Sequence, residues 1–307
     1  MSKLPVIIHG FGNVGKKVFQ ALESSPDMRC IGVLRQAGSM GKSAYALRGV
    51  PEFSELNSLL DKAGRPEVVI LCGPSRKVPE DAASFLAAGL HTVDSFDIHS
   101  EIPAVVRKLD AAAKASGRAS VTAAGWDPGT DSMIRAIFEA MAPVGTTFTN
   151  FGRGRSMGHS VAVRAMAGIA DAVSITIPVG GGRHSRLVYV LAEPEASQDA
   201  IRATIAVDPY FSSDPLEVRF VRTPEELYAV ADDSHGVLME RTGASGSSAN
   251  QQLRFDMRID NPALTGQVLI AAARAVARMA PGCYTLIDIP PVALLPGDRM
   301  EHIQRLV

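Results

Sequence analysis

Three glycines near the N-terminus constrain what this chain can fold into more than any other feature. They stand in "VIIHGFGNVGKKVFQALE", where Gly10, Gly12 and Gly15 follow a short apolar run and open a helical pattern with the spacing GxGxxG. Between a strand and a helix, the first glycine permits a tight turn and the second lets a pyrophosphate approach the backbone. The third lets helix and strand pack closely. N–H groups at the helix start then face an anion. Gly10, Gly12, Asn13, Val14 and Gly15 are therefore candidate dinucleotide contacts, against the plainer reading of a structural Gly-rich turn.

The first third of the chain supplies the context such a motif needs. Strand-like runs "CIGVL", "EVVILCG", "HTVDSF" and "ASVTAAG" alternate with helical segments at Val14–Ser24, Glu55–Ala63, "EDAASFLAAG" and Ile102–Ser116. Continuous β-branched runs separated by helices mark parallel strands covered on both faces. The expected fold is α/β, a Rossmann-type doubly wound parallel sheet. From about Phe148 the runs "SITIPV", "RLVYVLAE" and "LEVRFV" are longer and more alternating, with fewer helices between them. They predict a second, α+β domain on a mixed or antiparallel sheet. "TGASGSSANQQ", Thr242 to Gln252, has no apolar periodicity and reads as a mobile loop or lid. Thr265–Met279 reads as a helix stopped by Pro281-Gly282.

Composition narrows the partner. The 307 residues suit two domains, and a net charge of −1 gives no electrostatic case for nucleic acid. No run approaches the roughly 20 apolar residues that span a bilayer, and no signal pattern precedes the first strand, so the expected location is the cytoplasm, with no membrane partner. Cys30, Cys72 and Cys283 are far apart, without CxxC spacing. They read as reduced thiols, not as a zinc site or a disulfide framework. A small molecule remains the expected partner.

The end of the second strand bears on which dinucleotide is bound. NAD enzymes place an acid there for the ribose 2′-hydroxyl. Here "GVLRQAGS" offers no acid from Ile31 to Lys42 but does offer Arg35, whose guanidinium suits a 2′-phosphate. The expected cofactor is NADP, against the reading of Arg35 as a solvated side chain. Cys72, Ser75 and Arg76, around "LCGPS", lie on another loop at the carboxyl edge of the sheet and join the candidate cofactor contacts.

Ligands of open sheets bind beyond the carboxyl ends of the strands. "VDSFDIHS" carries Asp94, Asp97 and His99 there, and "AGWDPGTDS" carries Trp126, Asp127 and Asp131. Acids beside an aromatic suit an ammonium group. The spacing matches no metal-ligand motif, and none is assigned. Asp127-Pro128-Gly129 is also good turn chemistry, and Asp131 also reads as the residue that starts the next helix. In the second domain Arg186, His184, His235 and Arg241 are candidate cations for a carboxylate, although an isolated arginine is more often a surface residue.

The segments "HGFGNVG", "SPDM", "VDSFDIH", "GWDPGTDS", "SMGHSVAVRAMAGIADAVSITIP" and "IDNPALTGQVLIAAARAVARM", in that order to about Val292, resemble the meso-diaminopimelate dehydrogenase family. The resemblance implies a homodimeric, NADP-dependent amino-acid dehydrogenase. Its reaction would be oxidative deamination of the D-centre of meso-2,6-diaminopimelate to L-2-amino-6-oxopimelate and ammonia, reversibly, in lysine biosynthesis. Alternatives are a dehydrogenase of another D- or diamino acid and a catalytically silent dinucleotide-binding sensor. The expected division is 1–122 for the dinucleotide domain, 123–262 for substrate binding and dimerisation, and 263–307 for a C-terminal segment returning to the first.

By matched position the resemblance also implies roles. Asp97 and Asp127 would receive the reacting ammonium, with Trp126 shaping the pocket and the proton acceptor left open. Met157 and Gly158 of "SMGHS" would line the substrate. Thr176 and Arg186 would hold one carboxylate, and His235 and Asn261 the distal L-centre. Where members commonly carry Ser-Arg-Arg or Thr-Arg-Arg after the second strand, this chain has Arg35, Gln36 and Ala37, so only one cation remains there.

Overall fold

A computed structural model of the chain describes residues 3–42, 44–151, 153–180, 183–208, 210–230 and 234–307. Two compact units emerge. The first comprises 1–136 with 262–307 and the second 137–261.

The first unit runs β1 (Leu4–His9), α1 (Asn13–Glu23), β2 (Met28–Leu34), β3 (Glu52–Phe53), α2 (Leu56–Ala63), β4 (Val68–Leu71), α3 (Val78–Ala87), β5 (His91–Asp94), α4 (Ile102–Ser116) and β6 (Ala119–Val121). Helix α5 (Thr130–Met141) crosses into the second unit. There the chain forms β7 (Val144–Phe151), β8 (Gly154–Arg155), α6 (Met157–Arg164), β9 (Ile169–Gly180), β10 (Arg183–Ala192), α7 (Gln198–Val207), β11 (Leu216–Val221), α8 (Pro224–Val230), β12 (Ser234–Ser245) and β13 (Ser248–Asp260). It closes with α9 (Asn261–Val276), β14 (Gly282–Tyr284) and α10 (Arg299–Leu306).

The first unit is built on a seven-stranded sheet of order β14-β6-β5-β4-β1-β2-β3, every pair parallel. Alternate side chains of its strands enter opposite cores, as a period of two requires. Val6, Ile8, Val68 and Ile70 join α1 and α9 through Val18, Leu22, Leu269 and Ala273. Ile7, Val69 and Leu71 join α3 and α4 through Phe85, Leu86, Val105 and Leu109. Both faces are covered, so the strands read as unbroken apolar runs. With all strands parallel, their carboxyl ends fall along one edge.

The second unit holds two sheets. One is mixed, of order β11-β10-β9-β8, with β10 and β11 parallel; the other is antiparallel, of order β13-β12-β7. Here the structure corrects one expectation. Thr242 to Gln252 is not a loop or lid but the closing end of the β12–β13 hairpin, with Thr242 opposite Gln252 and Gly243 opposite Gln251. After three exposed residues at its start, β13 alternates between half-buried and exposed positions. Leu253, Phe255, Met257 and Ile259 occupy the half-buried face further along β13, but no residue from 242 to 252 is buried, so at the tip only the backbone ladder reveals the strand.

Candidate functional site

The glycines of the first turn build a cleft. Gly10 adopts φ +94, and a Cβ on Gly15 would lie 2.2 Å from the Gly10 carbonyl oxygen, so both positions require glycine. Around Gly12, the N-cap of α1, a Cβ would meet nothing within 4 Å. The open space therefore faces the helix start, where unpaired N–H groups favour an anion. The cleft measures about 640 Å³, and Gly10, Gly12, Asn13, Val14, Arg35, Gln36, Cys72 and Lys77 are among the residues lining it. Its backbone and shape fit a dinucleotide, with Gly15 packed behind the wall. Burial pushes the Cys72 thiol up, so Cys72 contributes packing rather than a thiolate.

Arg35 lies in this cleft but is not a loose cation. Its Nη1 donates to Glu52 Oε1 at 2.6 Å, and its guanidinium carbon sits 5.7 Å above the Phe11 ring. The sequence reading missed Glu52, which lies 17 residues away and arrives because β3 pairs with β2. Ser75 and Arg76 line a neighbouring cavity of about 690 Å³ together with Phe96 and Asp97, not the cleft of Arg35.

The acids stand at the same carboxyl edge. Asp94 ends β5 and is fully buried. Its Oδ1 accepts from the N–H of Phe96 at 2.9 Å, the Thr122 hydroxyl at 2.8 Å and the N–H of Ala123 at 3.1 Å. One oxygen thus ties the loop after β5, which carries Asp97, to the loop after β6, which carries Trp126 and Asp127. Burial pushes Asp94 up to about 6, against these three donors. Asp97 is exposed to its cavity, whereas Trp126 is 6% exposed and the Asp127 side chain 8%.

Asp131 sits in the first turn of α5 and is buried. Arg135 Nη2 lies 2.7 Å from its Oδ2 and 3.9 Å from Asp127 Oδ1, and His99 Nε2 is also 3.9 Å from that Asp127 oxygen. Burial, then the neighbouring Asp127 carboxylate, pushes Asp131 up to about 7 despite Arg135. Asp131 is therefore more than a helix-starting residue. Its carboxyl is also raised by burial and by the neighbouring Asp127. Asp127 Oδ1 itself is buried without a hydrogen-bond donor among the described residues. A buried carboxylate oxygen lacking a donor is costly unless a ligand supplies one.

In the second unit, Thr176 on β9 and Arg186 on β10 are register partners, and Arg186 Nη1 donates to the Thr176 hydroxyl. Arg186 Nε donates to Asp214 Oδ2 at 2.7 Å, a partner that the sequence reading missed. This fork is held in place and matches a planar carboxylate. His184 is no comparable cation, because burial and the Arg186 charge lower its pKa. Arg241 is corrected outright. It is 4% exposed and donates to Ala142 O, Thr147 Oγ1 and Pro143 O, so it fastens the second unit internally. Met157 and Gly158 open α6, His235 stands in β12 and Asn261 opens α9. The side chains at 157 and 235 lie outside the described residues. Among the described residues no group of three or more His, Cys, Asp or Glu is arranged to hold a metal ion.

The chain is similar to known proteins. Residues 125–182 match the diaminopimelic acid dehydrogenase C-terminal domain. Over 311 residues, covering 100% of both chains, the sequence is 45% identical to the meso-diaminopimelate D-dehydrogenase of Bacteroides fragilis. Among solved structures, the DAP dehydrogenase of Corynebacterium glutamicum in complex with DAP is 29% identical, covers 100% of both chains and superposes with a TM-score of 0.80. An engineered D-amino acid dehydrogenase bound to NADP+ is 27% identical, with a TM-score of 0.72 over 100% of both chains.

Proposed function

The chain belongs to the meso-diaminopimelate D-dehydrogenase family, and from that membership we propose its reaction, cofactor and residue roles. It oxidatively deaminates the D-centre of meso-2,6-diaminopimelate to L-2-amino-6-oxopimelate and ammonia, reversibly, within lysine biosynthesis. NADP is the cofactor. The observation that carries this reading is the buried Asp127 Oδ1 without a donor, which a substrate ammonium would supply. The cleft walled by Gly10, Gly12 and Arg35 supports the dinucleotide. When bound there, that group supplies the hydride acceptor.

The chain's own residues bind, orient and move a proton. Asp127 accepts hydrogen bonds from the ammonium, assisted by Asp97, and Trp126 excludes water beside it. With Asp131 against Asp127, the two carboxyls take up one proton from the ammonium, leaving the neutral amine that the oxidation needs. Arg186, steadied by Asp214 and Thr176, grips one substrate carboxylate. Met157 and Gly158 line the substrate, while His235 and Asn261 serve the distal centre. Gly10, Gly12, Asn13, Val14, Arg35 and Cys72 hold the dinucleotide, with Gly15 supporting the turn from behind and Ser75 and Arg76 at the adjoining cavity.

The chain acts as a homodimer in the cytoplasm. Exposed Val144 and Phe148, four residues apart on one face of β7, support an interface, and three free cysteines suit a reducing compartment.

Incubation of the purified protein with NADP and a panel of amino acids, followed by absorbance of the reduced cofactor, tests the reading. Turnover of meso-diaminopimelate far above the rest is expected, and Asp127→Ala should abolish it while cofactor binding persists. Preference for another amino acid, or tight cofactor binding with no turnover of any substrate, would overturn the assignment.

A further inference from the structure

Both carboxylate oxygens of Glu52 are engaged beside the dinucleotide cleft, next to Arg35 of its lining. Its Oε1 accepts from Arg35 Nη1 and its Oε2 from the N–H of Gly41, each at 2.6 Å. The two side chains are 11% and 10% exposed, so solvent screens the pair little. Phe11 closes one face of the guanidinium. The Arg35 Nε is buried and lacks a partner among the described residues.

The charges of the cleft are balanced. Its lining includes Arg35 and Lys77 as cations and Asp81 as an anion, and Glu52 sits behind Arg35. His9, also in the lining, is held toward its neutral form by burial. Two cations thus meet two anions. A phosphate monoester carries about −1.5 to −2 charge, whereas a ribose hydroxyl carries none. A guanidinium already neutralised by a carboxylate at 2.6 Å offers that phosphate less than a free one.

We propose that Glu52 sets the choice between NADP and NAD in this chain, by pairing with Arg35 and withholding its charge from the 2′-phosphate, so that the two cofactors are used within a narrow margin. The inference rests on the reading of Arg35 as the phosphate-facing residue. It gives Glu52 a specificity role without contact to the reacting atoms.

Kinetics with NADP and with NAD at saturating meso-diaminopimelate test it, on the wild-type chain, Glu52→Gln, Arg35→Ala and the double variant. Glutamine keeps the length and the acceptor for Gly41 but loses the charge. Glu52→Gln should lower KM for NADP roughly tenfold and change KM for NAD far less, an effect that disappears when Arg35 is alanine. An unchanged or raised KM for NADP in Glu52→Gln overturns the proposal. Arg35→Ala separates the two ideas. If it raises KM for both cofactors equally, the phosphate reading of Arg35 fails. If it raises KM for NADP selectively while Glu52→Gln changes nothing, only the role of Glu52 fails. On the unmodified chain, affinities for NADP and NAD should fall nearly in parallel with added salt, and a much steeper fall for NADP would also refute the neutral pair.

Discussion

Two carboxyls in contact cannot both ionise freely, and this decides how Asp127 and Asp131 behave. Burial and the Asp127 carboxylate beside it push Asp131 up to about 7, so Asp131 becomes able to take up a proton as pH rises through that value. Accepting a proton from an ammonium requires the ionised form. The kcat/KM for oxidative deamination should therefore rise through about pH 7 and level off above it. Asp131→Asn should flatten that acid limb and lower the rate at pH 8 by about a hundredfold. A profile measured between about pH 6 and about pH 9 that keeps the same limb in the variant would remove Asp131 from the chemistry. Residue types announced acids at this edge, but not their mutual burial. Asp214 shows the same limit. It lies 28 residues from Arg186 and meets it only because β11 pairs beside β10, with Leu216 opposite Arg186. Partners of this kind depend on register between strands, which local spacing does not carry.

At the scale of elements, Asp94 links two loops whose sequences are 28 residues apart. Its Oδ1 holds the N–H groups of Phe96 and Ala123, and Ala123 adopts φ +55, a conformation unfavourable to a side chain. Asp94→Asn retains an acceptor for these donors and should keep most of the turnover. Asp94→Ala orphans two buried N–H groups at about 1–3 kcal/mol each. It should lower kcat at least tenfold while leaving the dissociation constant of the cofactor within about twofold, since the glycine turn is not among its partners. Stopped-flow turnover and a cofactor fluorescence titration separate these effects, and equal losses in both variants would sink the positioning role. Elements themselves were legible where burial imposed a pattern. The periodicity of Ile102–Ser116 predicts a helix over the residues that form α4, with Gly117 ending it at φ +66. Strands buried on both faces, such as β4, announced themselves as apolar runs. The β12–β13 hairpin did not, because its outer half buries nothing that would force apolar residues into it.

The doubly wound sheet was readable because both of its faces are dry, and the second, mixed sheet because its strands follow one another. How the last 46 residues attach to the first unit was not written in any local pattern. Strand β14 spans only three residues, and its place beside β6 comes from the ladder between Gly282–Tyr284 and Ala119–Val121. A side-chain clamp reinforces it. Arg274 of α9 is 5% exposed, and its guanidinium donates to both carboxylate oxygens of Asp27, to the Ser25 hydroxyl and to the Leu294 carbonyl. One side chain therefore joins the turn before β2 to two parts of the C-terminal segment. Arg274→Met, which preserves much of the packing, leaves Leu294 O without its side-chain donor and Asp27 with only the Ser25 hydroxyl among its side-chain donors. With Asp27 a third exposed, water recovers part of the loss, which leaves about 2–3 kcal/mol and a melting temperature lower by roughly 5–10 °C at pH 7. Hydrogen bonding to Arg274 is the largest cause that holds the Asp27 carboxyl below its ordinary 3.8. A depressed folded-state pKa stabilises above the ordinary value and ceases to do so as pH falls through the folded one. The gap in melting temperature between wild type and Arg274→Met should accordingly be full at pH 7 and shrink as pH falls below the ordinary 3.8 and through the lower folded-state value. Thermal melts at both ends of that range decide the point, and a gap indifferent to pH would mean that Arg274 stabilises the C-terminal attachment by packing and its carbonyl contact alone.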